Sequence, residues 1–373
     1  MAIYLFVIAF ICVFSLAYDG KKMDSAKKRS FYFTMFFLIL LSGLRGDLGH
    51  DTVTYSNWYR NVPPIYDMTL AKYSQTRFEP LFVLLCSICK SITNEWLLPQ
   101  MIFSILVNSS VLLFIKRHTE SIFISILLYF IGCFYVLNCE EIRQATSFAI
   151  ILFASSYLGK CEFKKYYLWV LVAVGFHYSS LLFFSIPLLM KIVKKPLWIL
   201  SMVFLLFAVS SFLRAYMSDI MMALFSNNYS DYLISNIVEG TYGGEVSRSI
   251  ISYMNTLIVM IVIPLLSYYF SKKKDGDDIL YTFLILYVCC VIINLEIIWF
   301  YRYVHLMQIV SFVAIANGMG LLGMKKIDMV KKSLVLFMFI LCFYSLVKNA
   351  IMGYDEYYGL YRYELFVPYT LYF

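Results

Sequence analysis

Long apolar runs separated by short polar segments make up almost the whole chain. Runs at 96–115, 250–270, 280–300 and 304–322 are typical. Runs of about 17–25 residues are long enough to cross a bilayer as helices. The pattern predicts an all-α, polytopic integral membrane protein with about ten crossings. We expect one membrane domain over residues 1–373, because no stretch has the composition of an ordinary soluble domain.

Lysine clusters set the predicted orientation of these helices. They follow apolar runs within 21–29, 116–118, 160–165, 191–195, 272–274 and 325–332. The positive-inside rule places such clusters in the cytoplasm. Both termini are then outside, with outer loops at 45–96 and 214–248. The first apolar run has no basic residue ahead of it, which is the reverse of a cleavable signal peptide.

Two segments depart from this alternation. The apolar run at 81–93 is short for a crossing and is better explained as a re-entrant or interfacial helix. The stretch 166–190 has lysines at both ends. It predicts a pair of short helices broken near Gly175-Phe176-His177. The alternative is a single crossing, which would invert the orientation of everything after it.

Composition narrows the class of protein and indicates whether a cofactor is expected. The chain is 61% hydrophobic and 14% charged, whereas soluble domains are about half apolar and a quarter charged. The net charge of +8 comes from short loops between apolar runs, so nucleic acid is not an expected partner. The CxxC at Cys86 and Cys89 has no second pair, and the histidines share no metal-ligand spacing. We expect no metal and no other cofactor.

The arginines are distributed differently from the lysines. Most fall on the predicted outer side, namely Arg45, Arg60, Arg77, Arg143, Arg214, Arg248, Arg302 and Arg362. Arginine presents a planar set of donors that suits phosphate and carboxylate. An outer-face site for an anionic substrate would explain the distribution. The alternative is pairing with nearby carboxylates, which we favour for Arg60, Arg248 and Arg362.

The most unusual polar cluster is Glu140-Glu141-Ile142-Arg143-Gln144, between two apolar runs. Ionisable groups close to hydrocarbon are costly and mark candidate functional sites. On one helix, Glu140 would share a face with Arg143 and Gln144. A charged turn is the alternative. We favour function because Arg143 and Gln144 begin the returning helix.

Two other clusters lie in the first outer loop. Gly43, Gly46 and Gly49 allow tight turns where a helix leaves the membrane, with Arg45 and Asp51 facing inward. A glycine-rich helix exit with a structural ion pair is the alternative.

Glu79 precedes Pro80 at the start of the short apolar helix, where it suits capping. A re-entrant helix normally lines a cavity, so Glu79 is also a candidate general base.

The remaining candidates lie later in the chain. His177 precedes Tyr178-Ser179-Ser180 inside an apolar stretch. It is either a packing residue or a base or sugar-hydroxyl contact. Arg302 and His305 share the i, i+3 spacing of one helix face. An interfacial aromatic belt would explain Trp299 and Tyr301, but not this pair.

These motifs occur in a recognisable order. Ser42-Gly43-Leu44-Arg45, Asp51-x-x-x-Tyr55, Glu79-Pro80, Ile142-Arg143-Gln144 and Phe176-His177-x-Ser179-Ser180 follow one another. In this the chain resembles the EpsG-like family, whose members are similar to Wzy-type polymerases of O-antigens, capsules and exopolysaccharides. The resemblance covers roughly residues 41–186 and extends loosely to Arg302.

The resemblance implies a metal-independent glycosyltransferase in the bacterial cytoplasmic (inner) membrane, with its active site facing the exterior. Its substrate would be a polyprenyl-diphosphate-linked oligosaccharide, and a flippase and a chain-length regulator would be its partners. The growing chain would move to the non-reducing end of a new repeat unit. Candidate bases are Glu79, Asp51 and His177. The expected substrate- or diphosphate-binding residues are Arg45, Arg143, Gln144, Arg302, His305, Glu140 and Tyr55.

Three other functions stay open at this point. A flippase for lipid-linked oligosaccharide needs a path open alternately to both sides, whereas the polar groups gather toward one face. A membrane acyltransferase would use a cytoplasmic acyl donor, and His118 is the only predicted cytoplasmic histidine. A non-catalytic assembly partner is the third alternative.

Overall fold

The computed structural model describes residues 2–193, 250–271, 277–297, 300–323 and 328–352, with a few positions in 201–216 and 354–361. Several predictions lie outside these residues. They concern the crossing at 197–213, most of the loop at 214–248, the C-terminal tail, Trp299, Arg214, Arg248 and Arg362.

Helices make up nearly all of the described chain. In order they are α1 (Ala2–Tyr18), α2 (Ser25–Gly43), α3 (His50–Arg60), α4 (Leu70–Ser74), α5 (Pro80–Lys90), α6 (Leu97–His118), α7 (Ile122–Gly132), α8 (Ile142–Leu158), α9 (Phe163–Phe176), α10 (Ile186–Ile192), α11 (Ile250–Thr256), α12 (Ile263–Ser271), α13 (Asp278–Glu296), α14 (Tyr301–Gly320) and α15 (Met329–Met352).

Shorter elements join these helices. A 3-10 turn lies at Ile65–Asp67, another at Leu321–Gly323, and a longer 3-10 segment at Tyr178–Ser185. π-Helical segments occupy Val136–Glu140 and Leu257–Val262. Two strands of two residues each, β1 (Tyr354–Asp355) and β2 (Leu360–Tyr361), pair antiparallel. The predicted all-helical architecture is confirmed apart from these strands.

Five helices of the described chain are long and apolar enough to span a bilayer. They are Leu97–His118, Tyr253–Ser271, Asp278–Glu296, Tyr301–Gly320 and Met329–Ile351. The protein is therefore a helical membrane protein, and the total of about ten crossings stays a prediction.

Burial separates central from peripheral helices. In α13 and α14, 72% of the apolar window is buried, against 28% in α15. A helix that is apolar all round belongs at the centre of a bundle, so α13 and α14 form the middle and α15 faces the surroundings.

The short helix predicted around 81–93 is confirmed as α5. Its 11 residues extend about 16 Å, roughly half of a hydrocarbon core of about 30 Å. Pro80 stands at its first turn, where a missing backbone N–H costs nothing. α5 packs against α9 and α6.

The chain reverses direction at His177. α9 ends at Phe176, and His177 has extended backbone angles (φ −160°, ψ 127°). The Tyr166 hydroxyl, near the start of α9, donates to the Phe183 carbonyl at 2.8 Å. Phe183 lies in the segment after the break, so that segment must run back alongside α9. The predicted pair of short helices is confirmed over the single crossing.

Helix ends that carry the lysine clusters meet at one end of the bundle. The Lys27 ammonium donates to the Glu120 carbonyl at 2.6 Å. His118 is hydrogen-bonded to Asp277, and the Asn317 side chain donates to the His118 carbonyl at 2.9 Å. We call this the lysine-rich end. The last turn of α2 and the first turns of α8 and α14 lie at the other, lysine-poor end.

Candidate active site at the lysine-poor end

Arg143, in the first turn of α8, is the centre of a charged cluster. Its Nη1 is hydrogen-bonded to Glu79 Oε2 in an ion pair. Its Nε donates to the Tyr55 hydroxyl at 2.8 Å. The guanidinium carbon lies 4.6 Å from the centre of the Phe78 ring, within the range of a cation–π interaction. Three separate elements, α3, the start of α5 and α8, are therefore joined at one guanidinium.

Glu79 does not use its side chain to cap α5. It occupies the N-cap position, but its carboxylate accepts no backbone N–H there. The side chain is 5% exposed and turns toward Arg143. A buried carboxylate is tolerable only when it is paired, and Arg143 supplies the counter-ion. The capping explanation for Glu79 is therefore wrong, and Glu79 belongs to the cluster.

His177 extends the cluster on the far side of Glu79. Its Nδ1 accepts the backbone N–H of Ser179 at 3.1 Å, so the neutral ring carries its proton on Nε2. That nitrogen lies 3.9 Å from Glu79 Oε1, too far for a direct hydrogen bond. The break that reverses the chain thus also fixes the tautomer and direction of the imidazole.

Tyr55 links Arg143 to Asp51. The Tyr55 hydroxyl donates to Asp51 Oδ2 at 3.4 Å. Burial raises the pKa of the Tyr55 hydroxyl well above its usual range. Asp51 raises that pKa too, and the charges of Arg143 and Arg302 oppose the rise. Tyr55 therefore stays a neutral hydroxyl that accepts from Arg143 and donates to Asp51.

α14 brings Arg302 and His305 to the same region. Arg302 Nε donates to the Tyr301 hydroxyl at 3.2 Å, and its charge acts on both His177 and Tyr55. His305 Nδ1 lies 3.5 Å from Glu141 Oε1. Sequence reasoning did not select Glu141, because nothing in the spacing distinguishes it from Glu140 until α14 is placed.

Glu140 and Arg143 are not on one helix face, contrary to expectation. The π-helical segment ends at Glu140, Glu141 has non-helical angles (φ −110°, ψ 39°), and α8 begins only at Ile142. Glu140 lies beside Gly49 instead. A Cβ at Gly49 would be 2.8 Å from Glu140 Oε1, and the φ of +78° there also favours glycine.

Arg45 holds the junction of α2, α3 and the π-helical segment. It is 2% exposed and donates to the Ser42 carbonyl and, at 3.2 Å, to the Thr52 hydroxyl. The Thr52 hydroxyl donates to the Cys139 carbonyl at 3.2 Å. These contacts fit a positioning role more closely than direct contact with a substrate.

A family comparison bears on this cluster. The model of the EpsG family matches residues 28–371. The chain belongs to the EpsG family. The matched range contains every candidate site residue above, and membership in the EpsG family indicates a general role in polymerising polysaccharide at a bacterial membrane. Neither a search of curated proteins nor a search of solved structures returned a match.

The other polar candidates of this EpsG-family chain have simpler surroundings. Arg60 is exposed, and among the described residues it has no carboxylate partner, unlike the pairing we favoured. Arg77 is exposed and lies 5.5 Å from the centre of the Phe78 ring. Cys86 and Cys89 are buried packing residues. Over the described ranges, no group of three metal-ligand side chains comes together.

Proposed function

We propose that the chain is a metal-independent membrane glycosyltransferase that extends a bacterial O-antigen, capsule or exopolysaccharide. It moves the growing glycan from polyprenyl diphosphate to the non-reducing-end hydroxyl of a new lipid-linked repeat unit. The reaction takes place at the outer face of the cytoplasmic membrane.

The coordination of Arg143 is the observation that carries this proposal. Nη1 and Nε are occupied by Glu79 and Tyr55, whereas Nη2 has no hydrogen-bond partner among the described residues. The side chain is 19% exposed. Arg143 is thus fixed in place, and one edge of its guanidinium remains available to an anionic oxygen. A diphosphate leaving group is such an anion.

The position of the cluster supports the outer face. It lies at the end of the bundle opposite the lysine clusters, and the positive-inside rule assigns those clusters to the cytoplasm. A polyprenyl diphosphate keeps its charged group at the interface while its chain stays in the bilayer. The cluster at the lysine-poor end is therefore within reach of that charged group.

The roles follow from the geometry. The acceptor hydroxyl oxygen attacks the anomeric carbon, the bond from that carbon to the diphosphate oxygen breaks, and the diphosphate leaves with the electron pair. Arg143 and Arg302 stabilise the charge that develops on it. Glu79 takes the proton of the acceptor hydroxyl.

Asp51 and His177 fit the role of base less well. Asp51 is one residue further from Arg143, behind the Tyr55 hydroxyl. The neutral ring of His177 carries its proton on the nitrogen that faces Glu79, and its other nitrogen is taken by Ser179. We therefore assign His177 to orienting Glu79 or a sugar hydroxyl.

The surroundings of His118 weigh against the acyltransferase alternative. Its side chain is 7% exposed, is paired with Asp277 and lies 4.4 Å from the ring of Phe114. An acyl donor could not approach an imidazole closed in this way without opening the helix ends around it.

A polysaccharide gel tests the proposal. A host strain lacking the gene is complemented with wild type, Arg143→Ala or Arg77→Ala at matched membrane expression. Arg77 is the matched control, because it lies against the same Phe78 ring but is exposed. We expect the deletion to lose the long-chain ladder while single-repeat material still reaches the surface. Wild type and Arg77→Ala should restore the ladder, and Arg143→Ala should not.

Other results select other functions. Loss of single-repeat material together with accumulation of lipid-linked units in the cytoplasmic leaflet would establish a flippase. A normal ladder with altered substituents would establish an acyltransferase. A full ladder from Arg143→Ala would favour a non-catalytic assembly partner.

A further inference from the structure

A second polar surface lies next to Arg143 at the start of α8. Gln144 and Ser147 are three residues apart and therefore follow one face of α8, and Glu141 stands at the N-cap just before the helix. The Ser180 hydroxyl donates to the Ser147 hydroxyl at 2.9 Å, so this surface meets the break after His177. Glu141 Oε1 lies 3.5 Å from His305 Nδ1, so the surface also meets α14.

Several atoms of this surface are buried without a hydrogen-bond partner. Gln144 is 4% exposed and Glu141 is 8% exposed. Within the part of the chain that the structure describes, Gln144 Oε1, Glu141 Oε2 and the Ser179 hydroxyl have no partner. Buried polar atoms without partners are rare because they are costly. Three of them around one surface indicate that a ligand completes their hydrogen bonding.

The chemistry of these atoms identifies the kind of ligand. The unpartnered oxygens of Glu141 and Gln144 are acceptors, and the Glu141 oxygen belongs to a carboxylate that would repel a phosphate. In the cluster around Arg143 the Glu79 carboxylate is already paired, and the edge of the guanidinium that remains available can only donate. The surface with Glu141 and Gln144 therefore suits a group with several O–H donors and no negative charge, whereas the cluster around Arg143 suits an anion.

We infer that Glu141, Gln144 and Ser179 form a sugar-hydroxyl subsite that binds an uncharged ring of the acceptor repeat unit, beside the diphosphate held at Arg143. The inference rests on the proposed function and adds a division of the site into two parts. Tyr303 helps to shape the subsite, because its hydroxyl donates to the Ser179 carbonyl at 3.2 Å and ties α14 to the break.

Two ligands distinguish the two parts of the site. The full chain is purified in detergent, and dissociation constants are measured for two probes. One probe is the free oligosaccharide of one repeat unit, released from the host's lipid-linked intermediate by mild acid. The other is polyprenyl diphosphate without sugar. The variants are Gln144→Leu and Gln144→Met, with Thr146→Val as a control, because the buried Thr146 hydroxyl is already bonded to the Ile142 carbonyl.

We expect Gln144→Leu to weaken binding of the oligosaccharide about tenfold, the worth of a well-formed hydrogen bond in a buried site. Binding of polyprenyl diphosphate should not change. The melting temperature should stay equal or rise, because the Gln144 carboxamide has no described partner to lose. Gln144→Met should behave in the same way, and Thr146→Val should bind both probes as wild type does.

Other outcomes would overturn the inference. If both Gln144 variants bind the oligosaccharide as tightly as wild type does, the subsite is not there, although the polymerase proposal stands. If they lose both probes equally, Gln144 supports the site as a whole and does not read sugar hydroxyls. If wild type binds neither probe, the proposed function fails and the subsite fails with it.

Discussion

His118 lies beside Asp277 at the lysine-rich end of the bundle, and His177 lies beside Glu79 at the lysine-poor end. The two carboxylates are used differently. At the lysine-rich end, Asp277 is hydrogen-bonded to His118 and also accepts the Leu280 N–H at 3.0 Å, which caps α13. At the lysine-poor end, Glu79 stands at the N-cap of α5 but binds Arg143 instead of the backbone.

The same contrast holds for the other charged groups. Asp19 accepts the backbone N–H groups of Phe123 and Ile124, and Lys27 donates to the carbonyls of Lys21 and Glu120. These side chains close helix ends that would otherwise leave backbone groups unsatisfied. At the lysine-poor end, Arg143, Glu79 and Tyr55 bind one another through their side chains. Glu141 and Gln144 there each have a buried oxygen without a described partner. Charge at the first end stabilises the fold, and we propose that charge at the second binds a ligand.

Glu79→Gln tests this contrast with the largest expected effect. Glutamine keeps the shape and a hydrogen bond to Arg143 but cannot take a proton. We expect polymer formation from purified lipid-linked repeat units to fall about 100-fold or more, the usual contribution of a general base. Glu162→Gln, in the exposed pair with Lys165 at the other end, should retain wild-type activity. Equal rates for Glu79→Gln and wild type would remove Glu79 from the chemistry.

Gly175→Ala tests how tightly the break is held against α5. A Cβ at Gly175 would lie 2.6 Å from Leu81 Cγ and Cδ1, so α9 and α5 must move apart, and overpacking of this kind costs about 1–3 kcal/mol. We expect activity several-fold below wild type, because His177 and Glu79 separate. The double variant with Leu81→Ala should recover most of the activity.

Gly159→Ala is the matched control for that substitution. Gly159 ends α8 at the lysine-rich end, where the nearest atom to a new Cβ would be Ile279 Cδ1 at 3.2 Å. We expect activity close to wild type. Failure of Leu81→Ala to rescue Gly175→Ala would show that the distance between α5 and α9 does not matter.

Asp277→Ala should change stability and leave the chemistry unaffected. Burial alone would raise the pKa of Asp277, but the hydrogen bond and charge of His118 outweigh it and lower that pKa. A carboxylate with a lowered pKa stabilises the fold above its unfolded pKa of about 3.9 and loses that effect as the pH falls through its folded value. Loss of the cap should also cost about 1 kcal/mol at neutral pH.

The measurement is thermal unfolding in detergent between pH 7 and pH 3. Wild type should melt at a higher temperature than Asp277→Ala at pH 7, and the two should converge toward pH 3. Polymer formed per folded molecule should be unchanged. A loss of activity with an unchanged melting temperature would contradict the assignment of this end to stability.

The helices and their interruptions could be predicted from local pattern. The run at 81–93 was too short to cross, and the lysines at both ends of 166–190 favoured a reversal over a single crossing, which the structure has at His177. The length of an apolar run and the side of the membrane that a lysine cluster favours depend on residues close together in the chain. Both can therefore be taken directly from the sequence.

Contacts between residues that are far apart in the sequence could not be predicted in the same way. Glu141 and Glu140 are adjacent and alike, yet one meets His305 on α14 and the other lies beside Gly49. The difference comes from the end of the π-helical segment, which no spacing rule placed. Arg45 likewise resembles Arg143 in sequence context, and only its contacts with Ser42 and Thr52 show that it supports a junction.

The order of the cluster along the chain has a consequence for biogenesis. Arg143 is 64 residues from Glu79 and 88 from Tyr55, and all three precede His177. A ribosome that is still making the second half of the protein has already delivered everything needed to pair these charges. Tyr303 and His305 arrive only with α14, so the contacts to Ser179 and Glu141 form last. Synthesis from the N-terminus thus lets the costly ions pair early and leaves the proposed sugar-hydroxyl subsite to form when the bundle is nearly complete.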